Sequence, residues 1–289
     1  MPAELVVNVI IAGVLTGMVY GLMALGLSVI FGVVRVVNFA HGEMMAIAMY
    51  AAVTLFAAFK LDPFLAAVPI AIAFFALGYL MQAGLINPFI SRPEHSQFML
   101  MVAVAIIMVN GLLIAFGPDA RNVQTDYQLD SWEFGKILVD KPRAFAALMA
   151  AAASGALFLF FRKTLTGKAI RACADNHLGA LVVGLNVKHL YALTFGLGAA
   201  CVAIAGCMLI LFVDVTPGLG PAYTLLAFII VIVGGLGSMT GALLGGVLIG
   251  LSEALAGLLI QPSAKSMFCY ALLILVLLFR PQGLLGRKP

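Results

Sequence analysis

Apolar residues in this chain come in long unbroken runs, and that constrains its fold more than any motif does. Leu5–Val34, Phe64–Leu85, Phe98–Phe116, Ala144–Phe161 and Leu190–Val213 approach or exceed the about 20 apolar residues an α-helix needs to cross a bilayer. Met44–Phe59, Ala222–Gly234 and Met267–Phe279 are shorter runs of the same kind. None alternates apolar with polar residues, as the strands of a membrane β-barrel must. Of the 289 residues, 64% are hydrophobic and 10% charged, where soluble domains carry about 45–50% apolar and about 25% charged residues. One water-facing core cannot hide that much apolar surface, so lipid has to be the solvent. The expected fold is all-α: a polytopic transmembrane helical bundle of about eight to ten spans, nine by direct count, with residues 1–289 as one domain.

Charge orients the bundle. The loop 118–142 holds five acids (Asp119, Asp126, Asp130, Glu133, Asp140) against Arg121, Lys136 and Lys141. The loop 162–189 holds Arg162, Lys163, Lys168, Arg171 and Lys188 against Asp175 alone. The positive-inside rule makes the second loop cytoplasmic and the first external. A nine-span count then puts the N-terminus outside, and Arg280, Arg287 and Lys288 suit an inside C-terminus. The net charge of +4 is therefore a topology signal rather than a nucleic-acid footprint. Cys173, Cys201, Cys207 and Cys269 form no C-x-x-C pair and read as small apolar residues, with no metal site.

Glycine spacing points to close helix packing. Gly13, Gly17 and Gly21 recur at intervals of four, which lets helix backbones approach in lipid. Glycines crowd Gly234–Gly250, where they mark close contact or unwound backbone around Gly235 and Ser238. Two further stretches interrupt the apolar runs. Asn38-Phe39-Ala40-His41-Gly42-Glu43 places three polar side chains between two spans. They suit a broken helix facing protein or water, and three readings stand open. Asn38, His41 and Glu43 line a path, or they brace freed backbone groups, or the stretch is an ordinary turn.

The second interruption is Thr164–His189. Thr166 is placed to cap a helix Gly167–Ala174, and Asp175 a second helix Asn176–Val183 stopped by Gly184. Ile170, Leu178, Leu181 and Val182 give the pair an apolar face and Lys168, Arg171 and His177 a charged rim. Such a pair either docks into a partner's groove or lies on the anionic inner leaflet.

The segment GKAIRACADNHLGALVVGLNV resembles the cytoplasmic coupling segment of LivH-type branched-chain amino acid permeases, through Gly167, Ala169, Arg171, Ala172, Ala174, Ala180, Gly184, Leu185 and Asn186. GLSVIFGVVRVVNFAHGEMMAI is similar to the family's other signature, and GGLGSMTGALLGGVLIGLSEAL and LLILVLLFRPQGLLGR to its C-terminal part. The resemblance implies the permease subunit of an ATP-binding-cassette importer in a bacterial inner membrane, moving leucine, isoleucine or valine inward by alternating access. It implies a second homologous permease, two cytoplasmic ATP-binding subunits and an external solute-binding protein, with no nucleic-acid partner. Gly167, Arg171, Asp175, Ala180 and Gly184 would carry ATPase coupling, and Asn38, His41, Glu43, Gly235 and Ser238 the translocation path or its helix breaks.

The chain lacks a G-x-x-x-x-G-K-[ST] phosphate loop, so it is expected to be no enzyme and to bind no cofactor, its partners hydrolysing the ATP. An intramembrane enzyme is disfavoured by the lack of a Ser/His, paired-Asp or H-E-x-x-H arrangement in the spans. An ion-coupled secondary transporter would need more buried ionisable groups than Glu43 and Glu253. The same type of importer for another amino acid, urea, an amide or a carboxylate is the nearer alternative.

Overall fold

The computed structural model describes residues 3–260 and 265–286. Eleven helices lie among them: α1 (Ala3–Val34), α2 (His41–Phe59), α3 (Pro63–Leu80), α4 (Glu94–Phe116), α5 (Lys141–Lys163), α6 (Leu165–Asp175), α7 (His177–Val182), α8 (Val187–Leu209), α9 (Gly220–Gly234), α10 (Met239–Leu259) and α11 (Lys265–Phe279). Eight are long and apolar enough to cross a membrane, and α11 adds a shorter apolar helix. The chain is thus an all-α polytopic bundle. Arg287 and Lys288, which suited an inside C-terminus, lie outside the described residues.

Local chemistry sets the boundaries. Lys60 takes a left-handed conformation (φ 54°) and ends α2. Asp62 Oδ1 then accepts the Phe64 N–H at 2.8 Å, and Pro63 opens α3 where its missing N–H costs nothing. α3 runs on through a wider π-helical turn, Met81–Ile86, before Pro88. Asn186 caps α8 by accepting the His189 N–H at 3.1 Å.

Packing follows the small residues. α1 lies along α10, and α3 along α8. A Cβ on Gly17 would stand 2.7 Å from Val247 Cα, and one on Gly250 2.5 Å from Gly17 Cα, so the glycine ladder of α1 is the seat of α10. α8 is the most enclosed span: Phe195, Val202, Cys207 and Met208 are all fully buried.

The bundle has two distinct ends. At one, the loop between α4 and α5 folds into an antiparallel hairpin of β1 (Ser131–Phe134) and β2 (Ile137–Asp140), which the sequence reading did not foresee. Asn8 of α1 accepts the Leu138 N–H at 3.1 Å, Tyr127 bonds both oxygens of Asp62, and Arg121 pairs by backbone with Val215. Burial and the adjacent Asp62 carboxylate hold the Tyr127 phenol above its ordinary value. The other end gathers Arg35, the start of α4, α6 and the turn between α9 and α10 around one cavity. These groupings are the loops that a nine-span path puts on opposite sides.

Candidate translocation vestibule and coupling surface

The chain doubles back between α1 and α2. Arg35 has a left-handed backbone (φ 59°), an extended stretch follows, and α2 begins at His41 beside Met23. Met23 lies eleven residues before the last residue of α1, so α2 starts about 16 Å back from that helix end at 1.5 Å per residue. Backbone polar groups at such depth need protein partners, and side chains of the break and of α9 supply several of them. Asn38 Oδ1 accepts the Ala40 N–H at 3.0 Å, and its amide contacts Met44 Sδ at 3.8 Å. His41 Nε2 is 2.9 Å from the Met23 carbonyl oxygen. A carbonyl only accepts, so Nε2 carries the proton and Nδ1, which has no partner among the described residues, does not.

Thr224 of α9 completes the joint. Its hydroxyl accepts the Gly42 N–H at 2.8 Å and lies 2.9 Å from Glu43 Oε2, to which it donates. Gly42 allows this approach, because a Cβ there would overlap the Gly220 carbonyl oxygen. Asn38 and His41 are fully buried and Glu43 nearly so. All three bond within the break or to the helices around it, and none lines the cavity. Phe39, between them, does.

The cavity has a volume of about 1540 Å³. Fitted small-molecule pockets measure about 300–1,000 Å³, so this one is a vestibule rather than a shaped binding site. Its walls come from Ser28 to Val33 of α1, Arg35 just after it, Phe39, the start of α4, the end of α5, α6, the α9–α10 turn and the tail after α11. Arg35, Lys168 and Arg171 line it together with Glu94 and Asp175. Gln97 bonds the carbonyls of Ile90 and Arg92 at 3.2 and 3.0 Å, tying the start of α4 to the turn before it.

In the α9–α10 turn, Gly235 and Gly237 take positive φ of 108° and 75°. Ser238 lines the vestibule and caps α10, its Oγ accepting the Gly241 N–H at 3.1 Å. Gly235 itself packs on the backbone of Gly286. The tail after α11 docks there on the end of α9, with the Leu284 N–H to the Val233 carbonyl at 2.8 Å and the Leu285 N–H to the Gly234 carbonyl at 2.9 Å. The sequence reading took from this tail a topology signal and part of the family resemblance, but not this docking, for which its glycines and the turn's density of glycine are the signal.

α6 and α7 form the expected short helical pair, with two corrections to their caps. Thr164, not Thr166, caps α6: its Oγ1 accepts the Gly167 N–H at 2.9 Å and donates to the Phe160 carbonyl at 2.7 Å. Asn176, not Asp175, caps α7, its Oδ1 accepting the Gly179 N–H at 2.9 Å. Asn176 has the extended backbone a cap requires (φ −151°, ψ 99°), whereas Asp175 is still helical and faces the vestibule. Gly184 ends α7 as expected: at φ 82° it donates to Leu181 while Leu185 donates to Ala180, a Schellman stop.

Gly167 seats α6 on α5, since a Cβ would overlap the Phe160 carbonyl. Ile170, Cys173 and Ala180 are buried, and burial raises the Cys173 thiol above its usual pKa. Lys168 and Arg171 are exposed, as are Leu178, Leu181, Val182 and Val183.

Comparison with known proteins agrees with this architecture. The family model described as branched-chain amino acid transport system / permease component matches residues 9–277. The chain is 31% identical to the high-affinity branched-chain amino acid transport system permease protein LivH of Escherichia coli K12, over 95% of this chain and 94% of that one. It is 29% identical to the corresponding protein BraD of Pseudomonas aeruginosa, over 96% and 95%. The probable branched-chain amino acid transport permease protein LivH of Methanocaldococcus jannaschii is 27% identical over 92% and 88%. A match across nearly the whole chain, on a fold with eight candidate spans, makes this a multi-pass membrane protein of the branched-chain amino acid transport permease family.

Proposed function

We propose that this chain is the membrane-spanning permease subunit of an ATP-binding-cassette importer, which carries leucine, isoleucine and valine inward by alternating access. Two separate ATP-binding subunits seat on α6 and α7, a second permease pairs with this one, and an external binding protein delivers solute at the hairpin end. The observation that carries the reading is the shared wall. α6 presents Lys168, Arg171 and Asp175 to the vestibule while α7 beside it exposes Leu178, Leu181, Val182 and Val183. A partner that grips the exposed ridge can therefore move a wall of the solute path. The names of the relatives support the solute class.

Uptake of labelled leucine into proteoliposomes tests the proposal. The purified chain alone is expected to transport nothing. The complete importer with its binding protein is expected to transport only when ATP is present on the α6–α7 side. Uptake by this chain alone, driven by a proton or sodium gradient, would replace the reading with an ion-coupled transporter.

A further inference from the structure

The polar members of the α1–α2 break are accounted for by backbone and side-chain bonds, but its one aromatic residue is not. Phe39 sits where the break meets the vestibule. Its ring stands edge-on to Phe98 of α4 at 4.6 Å and tilted against Phe228 of α9 at 5.2 Å. Just past it the joint is closed: Asn38 and His41 are fully buried, and Gly42 abuts Gly220. Phe39 and Phe98 line the cavity here and Phe228 backs Phe39 from behind, so the rings form a cover at this end of it.

The leaves of this cover are not equally anchored. Phe39 is fixed by neighbours on both sides, and its carbonyl lies 3.4 Å from the Thr224 hydroxyl. Phe228 belongs to α9, whose inner face is buried through Ile230, Val231 and Val233. Phe98 stands on α4, whose buried residues are Met101, Ala105 and Leu112, and which rests chiefly on α2 and on the turn Pro217–Leu219. A ring-to-ring contact is weak enough to break in each cycle, and an apolar constriction sheds water when shut.

We propose that Phe39, backed by Phe228, and Phe98 form the gate that shuts the vestibule off from the hairpin side, with Phe98 as the moving leaf, and that the aliphatic side chain of the solute passes between Phe39 and Phe98. The proposal rests on the import reading above. It adds a source of selection within the membrane, because an aliphatic side chain adds no charge to the two of the amino-acid head group, whereas a charged side chain adds a third that the aromatic cleft would desolvate.

The test is a cysteine pair, Phe39→Cys with Phe98→Cys, in the complete importer. The four native thiols are buried, the most accessible at 5% exposure, and stay in place. After oxidation the pair is expected to cross-link and to lose leucine uptake by at least about tenfold while ATP hydrolysis continues, with recovery on reduction. Each single variant is compared with itself, and its uptake should change by no more than about twofold when the oxidant is added. A cross-linked importer that still transports, or a pair that cross-links in no nucleotide state, overturns the gate. If the pair does not assemble, Phe98→Cys alone serves. A sulfonate-bearing thiosulfonate reagent should block uptake, the methyl reagent should leave it unchanged, and equal effects of the two count against the gate. If the parent importer takes up no leucine, the import reading fails. The gate is then judged on cross-linking, which should be stronger without nucleotide than with an ATP analogue, and equal yields overturn it.

Discussion

Thr224 stands opposite the start of α2 and serves two buried groups with one hydroxyl, accepting from Gly42 and donating to Glu43. Removing it leaves an N–H and a carboxylate oxygen facing a methyl group where water cannot compensate. Each stranded group costs about 1–3 kcal/mol. Thr224→Val is therefore expected to lower the melting temperature of the detergent-purified chain and reduce leucine uptake, while Thr224→Ser stays near the parent in both. A Val variant as stable as the parent would show that the joint is held by packing alone. Asn38, His41 and Glu43 were legible in the sequence because polar side chains between spans are conspicuous. Thr224 was not, since it is 181 residues from Glu43 and unremarkable within its own helix. Phe39 was overlooked for the opposite reason, as an apolar residue among apolar spans. Polarity marks residues out of place and is silent about those whose task is to be apolar.

The pair α6–α7 shows what can be read of an element before its backbone is known. Its position, two-helix form and glycine stop follow from composition and turn chemistry, whereas the caps fell on Thr164 and Asn176 instead of Thr166 and Asp175. Each correct cap has a near neighbour of equally suitable type, and only extended backbone at the cap residue separates them. Gly184 admits less substitution than either cap, because φ 82° is strained for any residue with a Cβ and most of all for a branched one. Gly184→Val is expected to fray α7, and on the proposed coupling role a frayed α7 would transmit less force. ATP hydrolysis by the assembled importer should then persist with uptake reduced by about tenfold or more. Asn176→Ala, which costs about 1 kcal/mol of capping, should give the same effect in milder form. Parallel loss of hydrolysis and uptake in both variants would instead make α7 an assembly contact.

At the scale of the whole molecule, the spans follow from apolar run length. The hairpin β1–β2 does not, because four-residue strands in a polar loop leave too short a pattern to separate from coil. Its role is visible only in three dimensions, where Asn8 and Asp62 tie α1 and α3 to the loop that carries it. The hairpin contacts lie at that end and the Gly42–Gly220 seat deeper in the bundle, while the opposite end holds a vestibule of about 1540 Å³. On the import reading proposed above, a vestibule at one end with close packing beyond it corresponds to one of the two states of alternating access. Leu236, which is 51% exposed and lines the vestibule, reports on that state without sitting in a cap or a helix contact. Leu236→Cys is expected to react with a membrane-impermeant maleimide in inside-out vesicles and not in right-side-out ones. Binding of a non-hydrolysable ATP analogue to the complete importer should slow that reaction by at least about fivefold as the vestibule closes. Labelling from the hairpin side would invert the topology derived from Arg162–Lys188. A rate indifferent to nucleotide would mean that the vestibule is permanently open and that the motion driving import lies elsewhere in the assembly.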